Sequence, residues 1–247
     1  MPRVVYTTQK GLVQEVGTGV DLTGASSVLM SSAAFSDSVV LSKNSAHGIK
    51  VDPASPTFGF ADLLGQVHVR SPGANDPTFA AYSGNIRQFQ FSNAGMREAF
   101  FEFHVPHDYV LGTDVYIHVH WSQSTVDSGG VGGTPGVVKW QFEITYSKAH
   151  NRGAFFTPVV TSVTQQASVT QYQQLLIEIQ ISATSPSASQ IDTDNLEPDG
   201  IMLVRVYRDP SDADDTLNQA PFMHYCDIHY QTTGVIGTKN KSPNFYT

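Results

Sequence analysis

Between residues 137 and 147 apolar and polar side chains alternate without a break, with Val138, Trp140, Phe142, Ile144 and Tyr146 set against Lys139, Gln141, Glu143 and Thr145. Successive side chains of a strand point to opposite faces, so this period predicts a half-buried antiparallel strand; a helix would repeat every 3.6 residues instead. Leu175, Ile177, Ile179 and Ile181 repeat the pattern. The same reasoning places strands over 86–92, 99–105, 114–122, 137–147, 159–164, 174–182, 201–208 and 222–231. Turn-forming runs such as Gly129-Gly130-Val131-Gly132-Gly133 and Ser185-Pro186-Ser187 fall between them. No stretch of ten residues carries a helical period, so the expectation is an all-β fold, a jelly-roll β-sandwich spanning residues 82–232.

The flanks read differently. Residues 1–81 hold short apolar bursts separated by Gly, Ser, Asp and Pro, without a sustained period. A segment of that kind closes no core of its own and predicts an extended arm with short strands that wraps the main domain or a neighbour. Residues 233–247 form a polar tail ending in Phe245 and Tyr246, whose rings are expected to dock into a groove.

Charge and cysteine usage exclude several classes of function. A formal net charge of -8, with Lys239 and Lys241 the nearest approach to a basic cluster, gives no phosphate-neutralising stripe, so no nucleic-acid partner is expected. The single cysteine, Cys226, removes disulfide frameworks and cysteine-rich zinc sites, and its place in an apolar alternation predicts a buried, inert thiol. The first ten residues lack the apolar core of a secretory signal, and no run approaches the roughly 20 apolar residues that span a bilayer. Synthesis in a cytoplasm without a membrane partner is the expectation.

The chemistry-bearing pattern is His118-Val119-His120. Two imidazoles at i and i+2 share one strand face, together with Tyr116, while Val115, Ile117, Val119 and Trp121 turn the other way. Gly112 followed by five residues and this pair matches the opening of a cupin metal motif, yet no carboxylate follows in Trp121-Ser122-Gln123-Ser124-Thr125-Val126. The downstream half of that motif also has no histidine in register. His104 and His107 flank Pro106 and are read as turn hydrogen-bonders. His224 and His229 have opposite parity and are not expected to share a face.

The acidic loop 209–216 offers Asp209, Asp212 and Asp214 as hard oxygen ligands but lacks the glycine and closing glutamate of an EF-hand. The cluster Asp192, Asp194, Asn195, Glu197 and Asp199 reads as a solvated turn. No metal and no cofactor is expected; His118, His120, Asp209, Asp212 and Asp214 are the residues that would serve if one were bound. Nucleophile elbows and phosphate-binding glycine loops are absent, and no catalytic residue is assigned.

Several stretches resemble tailed-bacteriophage virion proteins. They are Phe103-His104-Val105-Pro106-His107-Asp108-Tyr109, Gly112-Thr113-Asp114, His118-Val119-His120-Trp121, Val138-Lys139-Trp140, Asp227-Ile228-His229-Tyr230-Gln231 and Gly237–Tyr246. The opening Gly17-Thr18-Gly19-Val20-Asp21-Leu22-Thr23-Gly24 is similar to openings of such proteins as well. The resemblance covers residues 82–247 and implies a trimeric jelly-roll accessory protein of capsid-cement, decoration or appendage type, with no catalytic residues.

The sequence therefore leads to a non-enzymatic virion protein assembled in the host cytoplasm. It would be a homotrimer that stabilises a phage shell by contacts with the major capsid protein or other virion proteins. Trp121 and Trp140 are the expected core anchors, Tyr116, His118 and His120 the assembly face, and Phe245 and Tyr246 the docking residues. A tail or vertex appendage, a glycan-binding jelly roll and a cupin-like metalloprotein are the alternatives.

Overall fold

In the computed structural model the described residues are 3–7, 11–16, 59–69, 73–127, 133–181 and 196–232. The chain divides into two units, Met1–Ala46 and His47–Thr247. The first contains β1 (Arg3–Thr7) and β2 (Gly11–Val16), an antiparallel pair with Tyr6 opposite Leu12 and a register shift between Arg3 and Val4.

Among the described residues the second unit carries eleven strands: β3 (Gly59–Leu64), β4 (Gln66–His68), β5 (Thr78–Ser83), β6 (Ile86–Gln90), β7 (Arg97–His104), β8 (Val115–Ser122), β9 (Val137–Ser147), β10 (Val159–Gln166), β11 (Leu175–Ile181), β12 (Ile201–Arg208) and β13 (Phe222–Thr232). No helix occurs among the described residues, and none is long and apolar enough to cross a membrane. All eight expected strands are present, with ends within two residues of the expected ones.

One sheet runs β10-β9-β12-β7-β4 and the other β11-β8-β13-β6-β5, with β3 also paired to β13. Counting β6 to β13 as one to eight, the antiparallel pairs include one with eight, two with seven, three with six and four with five. That nested pairing is the jelly roll: a long hairpin folded over on itself into two facing sheets.

The period read in the sequence explains the layering. Val138, Trp140, Phe142, Ile144 and Tyr146 of β9 are buried, as are Ala99, Phe101 and Phe103 of β7, Ile117, Val119 and Trp121 of β8, and Met202, Val204 and Val206 of β12. They meet in one core between the sheets. Trp121 and Trp140 are fully buried with ring centroids 6.2 Å apart, and the Phe91 ring stands edge-on to Trp140 at 5.0 Å.

Part of the stretch read as an arm belongs to the sandwich. β3 extends the edge of β13, pairing Gly59–Leu64 with Asp227–Thr232, and β4 then pairs with β7 in the opposite sheet. The chain changes sheets at Gly65, whose amide donates to the Cys226 carbonyl at 2.9 Å. A Cβ there would lie 2.6 Å from the Phe103 ring, so only glycine fits the corner without displacing core atoms. β5 pairs with β6. Short edge strands packed on one side lack the long alternation that marks central strands, which is why the pattern left them unassigned beyond short strands.

Candidate functional site

The outer face of β11, β8, β13 and β3 carries a cluster of ionisable residues. Antiparallel register sets three rows across it: Leu176, His120 and Tyr225; Glu178, His118, Asp227 and Leu64; Gln180, Tyr116, His229 and Asp62. Tyr116, His118 and His120 thus share a face as the spacing required. Asp227 and His229 join them from a strand more than a hundred residues further along the chain. Asp227-Ile228-His229 has the same i, i+2 spacing as the histidine pair, and that was the signal available in the sequence.

The rows pack closely enough to bury charge on the solvent side. His118 and Asp227 are each only 3% exposed. His118 Nε2 lies 2.9 Å from Glu178 Oε2, and His118 Nδ1 lies 3.7 Å from Asp227 Oδ2. The His229 ring stands edge-on to His118 at 4.5 Å, and its Nε2 pairs with Asp62 Oδ1. His120 stacks on Tyr225 at 4.1 Å between centroids and accepts a hydrogen bond at Nδ1 from Gln174 Nε2 at 2.6 Å. Burial holds His120 below the usual imidazole value, and His118 and His224 nearby add to the effect. Burial likewise raises the Asp227 carboxyl, against the opposing pull of His118.

Around this centre apolar side chains stand open. Phe60 packs edge-on to Tyr116 at 6.0 Å and lies 5.9 Å from His229, yet is 53% exposed; Leu64 is 65% exposed. Leu176 and Tyr225, flanking His120, are also exposed.

The parity argument for His224 fails, and the reason is local. A register shift between Met223 and Tyr225 inserts one residue into β13, and His224 Nε2 meets Ser122 Oγ at 2.7 Å. Ser122 lies on the His118 and His120 side of β8, so the bulge returns His224 to the face that strict alternation denies it.

A second imidazole cluster forms where loops meet. His107 Nε2 is 2.5 Å and His104 Nε2 3.4 Å from Asp199 Oδ1, while His150 Nε2 is 2.8 Å from Asp199 Oδ2. Asp199 and His150 both have left-handed backbones, with φ of 67° and 54°. His107 hydrogen-bonds as expected of a residue near a turn, but its partner Asp199 sits in the turn before β12, and His104 approaches the same carboxylate without a hydrogen bond. Glu197 beside it is fully buried against Arg152, with Nε 3.1 Å from Oε1, and is not a solvated turn residue. Asp192, Asp194 and Asn195 lie outside the described residues.

The acidic loop gathers no common site. Lys139 Nζ takes Asp212 and Asp214 at 3.0 Å each, and Asp209 Oδ1 accepts from the amide and hydroxyl of Ser211. Cys226 is a free thiol with no exposure, and burial pushes its pKa well up. Phe245, Tyr246, Lys239 and Lys241 lie outside the described residues.

On the opposite sheet a groove of about 390 Å³ is lined by Phe100, Glu102, Glu143, Thr145, Leu203 and Arg205 among others. In it Arg205 binds Glu98 Oε2 at 2.6 Å through Nε and Glu143 Oε2 at 3.0 Å through Nη1, and lies over the Tyr207 ring at 4.2 Å.

Fold and faces together define a jelly-roll β-sandwich with a histidine-rich outer sheet. No protein-family model matches the chain. No curated protein matches it either. Among solved structures it is similar to TmCBM61 in complex with beta-1,4-galactotriose, at 10% identity over 70% of this chain and 88% of that one, with a TM-score of 0.29. It is also similar to the C-terminal family 22 carbohydrate-binding module of Clostridium thermocellum Xyn10B, at 15% identity over 72% and 87%, with a TM-score of 0.27. At these scores the likeness carries no argument about what this chain binds.

Proposed function

We propose that this chain is a non-enzymatic virion structural protein. It assembles as a homotrimer through the outer face of β11, β8, β13 and β3 and stabilises a phage shell as a cement or decoration protein. The observation that carries this reading is the composition of that face. Phe60, Leu64, Leu176 and Tyr225 expose apolar surface from three strands around the imidazole and carboxylate centre. Exposed apolar side chains rimmed by polar ones are a feature of interaction surfaces, and aromatic residues are enriched where protein surfaces meet. The stretches that resemble tailed-phage virion proteins supply the setting, and two of them, in β8 and β13, build this face. Its partner in the assembly is a second copy of the same chain, with the major capsid protein beneath.

Sedimentation equilibrium of the full chain tests the assembly: a trimer is expected, and Phe60→Asp combined with Leu64→Asp should yield a folded monomer. A wild-type chain that stays monomeric at micromolar concentration removes the reading. Quantitative mass spectrometry of purified particles tests the setting. Hundreds of copies per particle mean shell decoration, tens mean a tail or vertex appendage, and none ends the virion proposal.

The groove on the other sheet favours a second reading, glycan binding. Arg205, Glu143 and Glu102 offer the planar hydrogen-bonding groups that sugar hydroxyls take, and Phe100 with Leu203 offers apolar surface for ring C–H groups. A glycan array, followed by titration of any hit against wild type and Arg205→Ala, decides it; an array without hits removes the reading.

A further inference from the structure

We infer that His118, Asp227 and His229 form a binding site for one divalent first-row transition metal ion, zinc fitting best. One ligand atom from each of the three lies within 4.8 Å of the other two. Two imidazoles and a carboxylate make a donor set that zinc and its neighbours take. The inference needs a single chain and does not rest on the assembly proposed above.

Three features point to a cation. The first is the direction of the imidazoles. His118 Nε2 is held at 2.9 Å by Glu178, and His229 Nε2 is held by Asp62. In a neutral ring, a carboxylate partner keeps the proton on Nε2 and leaves Nδ1 as the lone pair that a cation takes. An imidazole fixed through one nitrogen by a carboxylate and free at the other is the arrangement that orients metal-binding histidines.

The second is an acceptor facing an acceptor. His118 Nδ1 stands 3.7 Å from Asp227 Oδ2. Two lone-pair atoms face each other favourably only with a positive centre between them. Bonds of about 2.1 Å place donors around one ion roughly 3 to 3.5 Å apart, so a side-chain movement of about half an ångström brings this pair to ligating distance.

The third is an orphaned oxygen. Asp227 is buried, and its Oδ1 has no hydrogen bond; His120 Nε2 lies 3.2 Å away without the alignment of one. A buried carboxylate oxygen without a donor is costly, and an ion bound at Asp227 offsets that cost. In the single chain the His229 side chain, 36% exposed, leaves the site open to an entering ion and to a further ligand from solvent.

The test is zinc titration of the chelator-stripped full chain by calorimetry, with cobalt absorption as a spectroscopic reading of the ligand set. One ion per chain is expected. His118→Ala, Asp227→Asn and His229→Ala should each abolish stoichiometric binding, and Glu178→Gln or Asp62→Asn should weaken it about 10- to 100-fold. His224→Ala should leave it unchanged. Because His118 and Asp227 are buried, His229→Ala is the decisive variant: its thermal midpoint without zinc should match wild type, while the rise on adding zinc disappears. Absence of stoichiometric binding, meaning that a proton alone bridges His118 and Asp227, overturns the proposal. So does equal affinity in wild type and His229→Ala, which would place the ion elsewhere, such as at His104, His107 and His150.

Discussion

Arg208 and Asp215 face each other inside the sandwich as a bidentate ion pair, Nε to Oδ2 and Nη2 to Oδ1 both at 2.8 Å, with neither side chain exposed. The remaining guanidinium hydrogens go to the carbonyls of Phe91, Leu217 and Gln219, so one side chain of β12 ties the loop after it to the end of β6. Removing one partner of a buried pair leaves an uncompensated charge and typically costs about 3–5 kcal/mol. Asp215→Ala is expected to lower the urea midpoint by an amount corresponding to that loss. A change under about 1 kcal/mol would mean that the carbonyls alone neutralise Arg208.

The two core tryptophans are equally buried but differ in one hydrogen bond. Trp121 Nε1 donates to Gln165 Oε1 at 2.7 Å, whereas Trp140 Nε1 has no partner. Trp121→Phe strands an acceptor and Trp140→Phe strands nothing. Denaturant unfolding should place Trp121→Phe below Trp140→Phe by about 1 kcal/mol. Equal losses would show that cavity volume alone governs both.

Gly65 is where the chain passes from one sheet to the other. Gly65→Ala drives a methyl into the Phe103 ring and against the Cys226 carbonyl, 3.1 Å from the new atom. A loss of about 1–3 kcal/mol is expected, the usual range for overpacking a core. Amide exchange should report faster opening of β3 and β4 than of β12.

Asp199 gives a pH dependence with a definite sign. Burial raises its carboxyl, but hydrogen bonds from His150 and His107 outweigh that and hold it below the ordinary 3.8. A depressed folded value means that the stabilisation is present above the unfolded value and lost as pH falls through the folded one. The difference in melting temperature between wild type and Asp199→Asn should therefore be present at about pH 5, where the histidines carry charge, and shrink below about pH 4. A difference that grows as pH falls from about 4 to about 2 contradicts the assignment.

Much of the fold was legible because central strands of a sandwich carry two-residue alternation in their own sequence. Val137–Ser147 reads as a strand whatever it pairs with, since its buried side chains are every second one. β3 and β4 were not legible as sandwich strands: their order comes from hydrogen bonds to β13 and β7, and Gly65 shows its purpose only beside Phe103. At the site, His-x-His sufficed to put His118 and His120 on one side of β8. Their neighbours came from register, and the bulge at His224 reversed a parity that simple alternation assigned.

Local chemistry alone determined that this chain is all-β, that Trp121 and Trp140 point inward, that Cys226 is buried, and that Tyr116, His118 and His120 share a face. Side-chain direction along a strand is a property of neighbouring residues, so it is written in the sequence. The meeting of His118 with Asp227 and His229, and of His107 and His150 with Asp199, belongs to tertiary structure. Those contacts depend on which strand lies beside which and in what register, and that is settled only when the two sheets close over a common core.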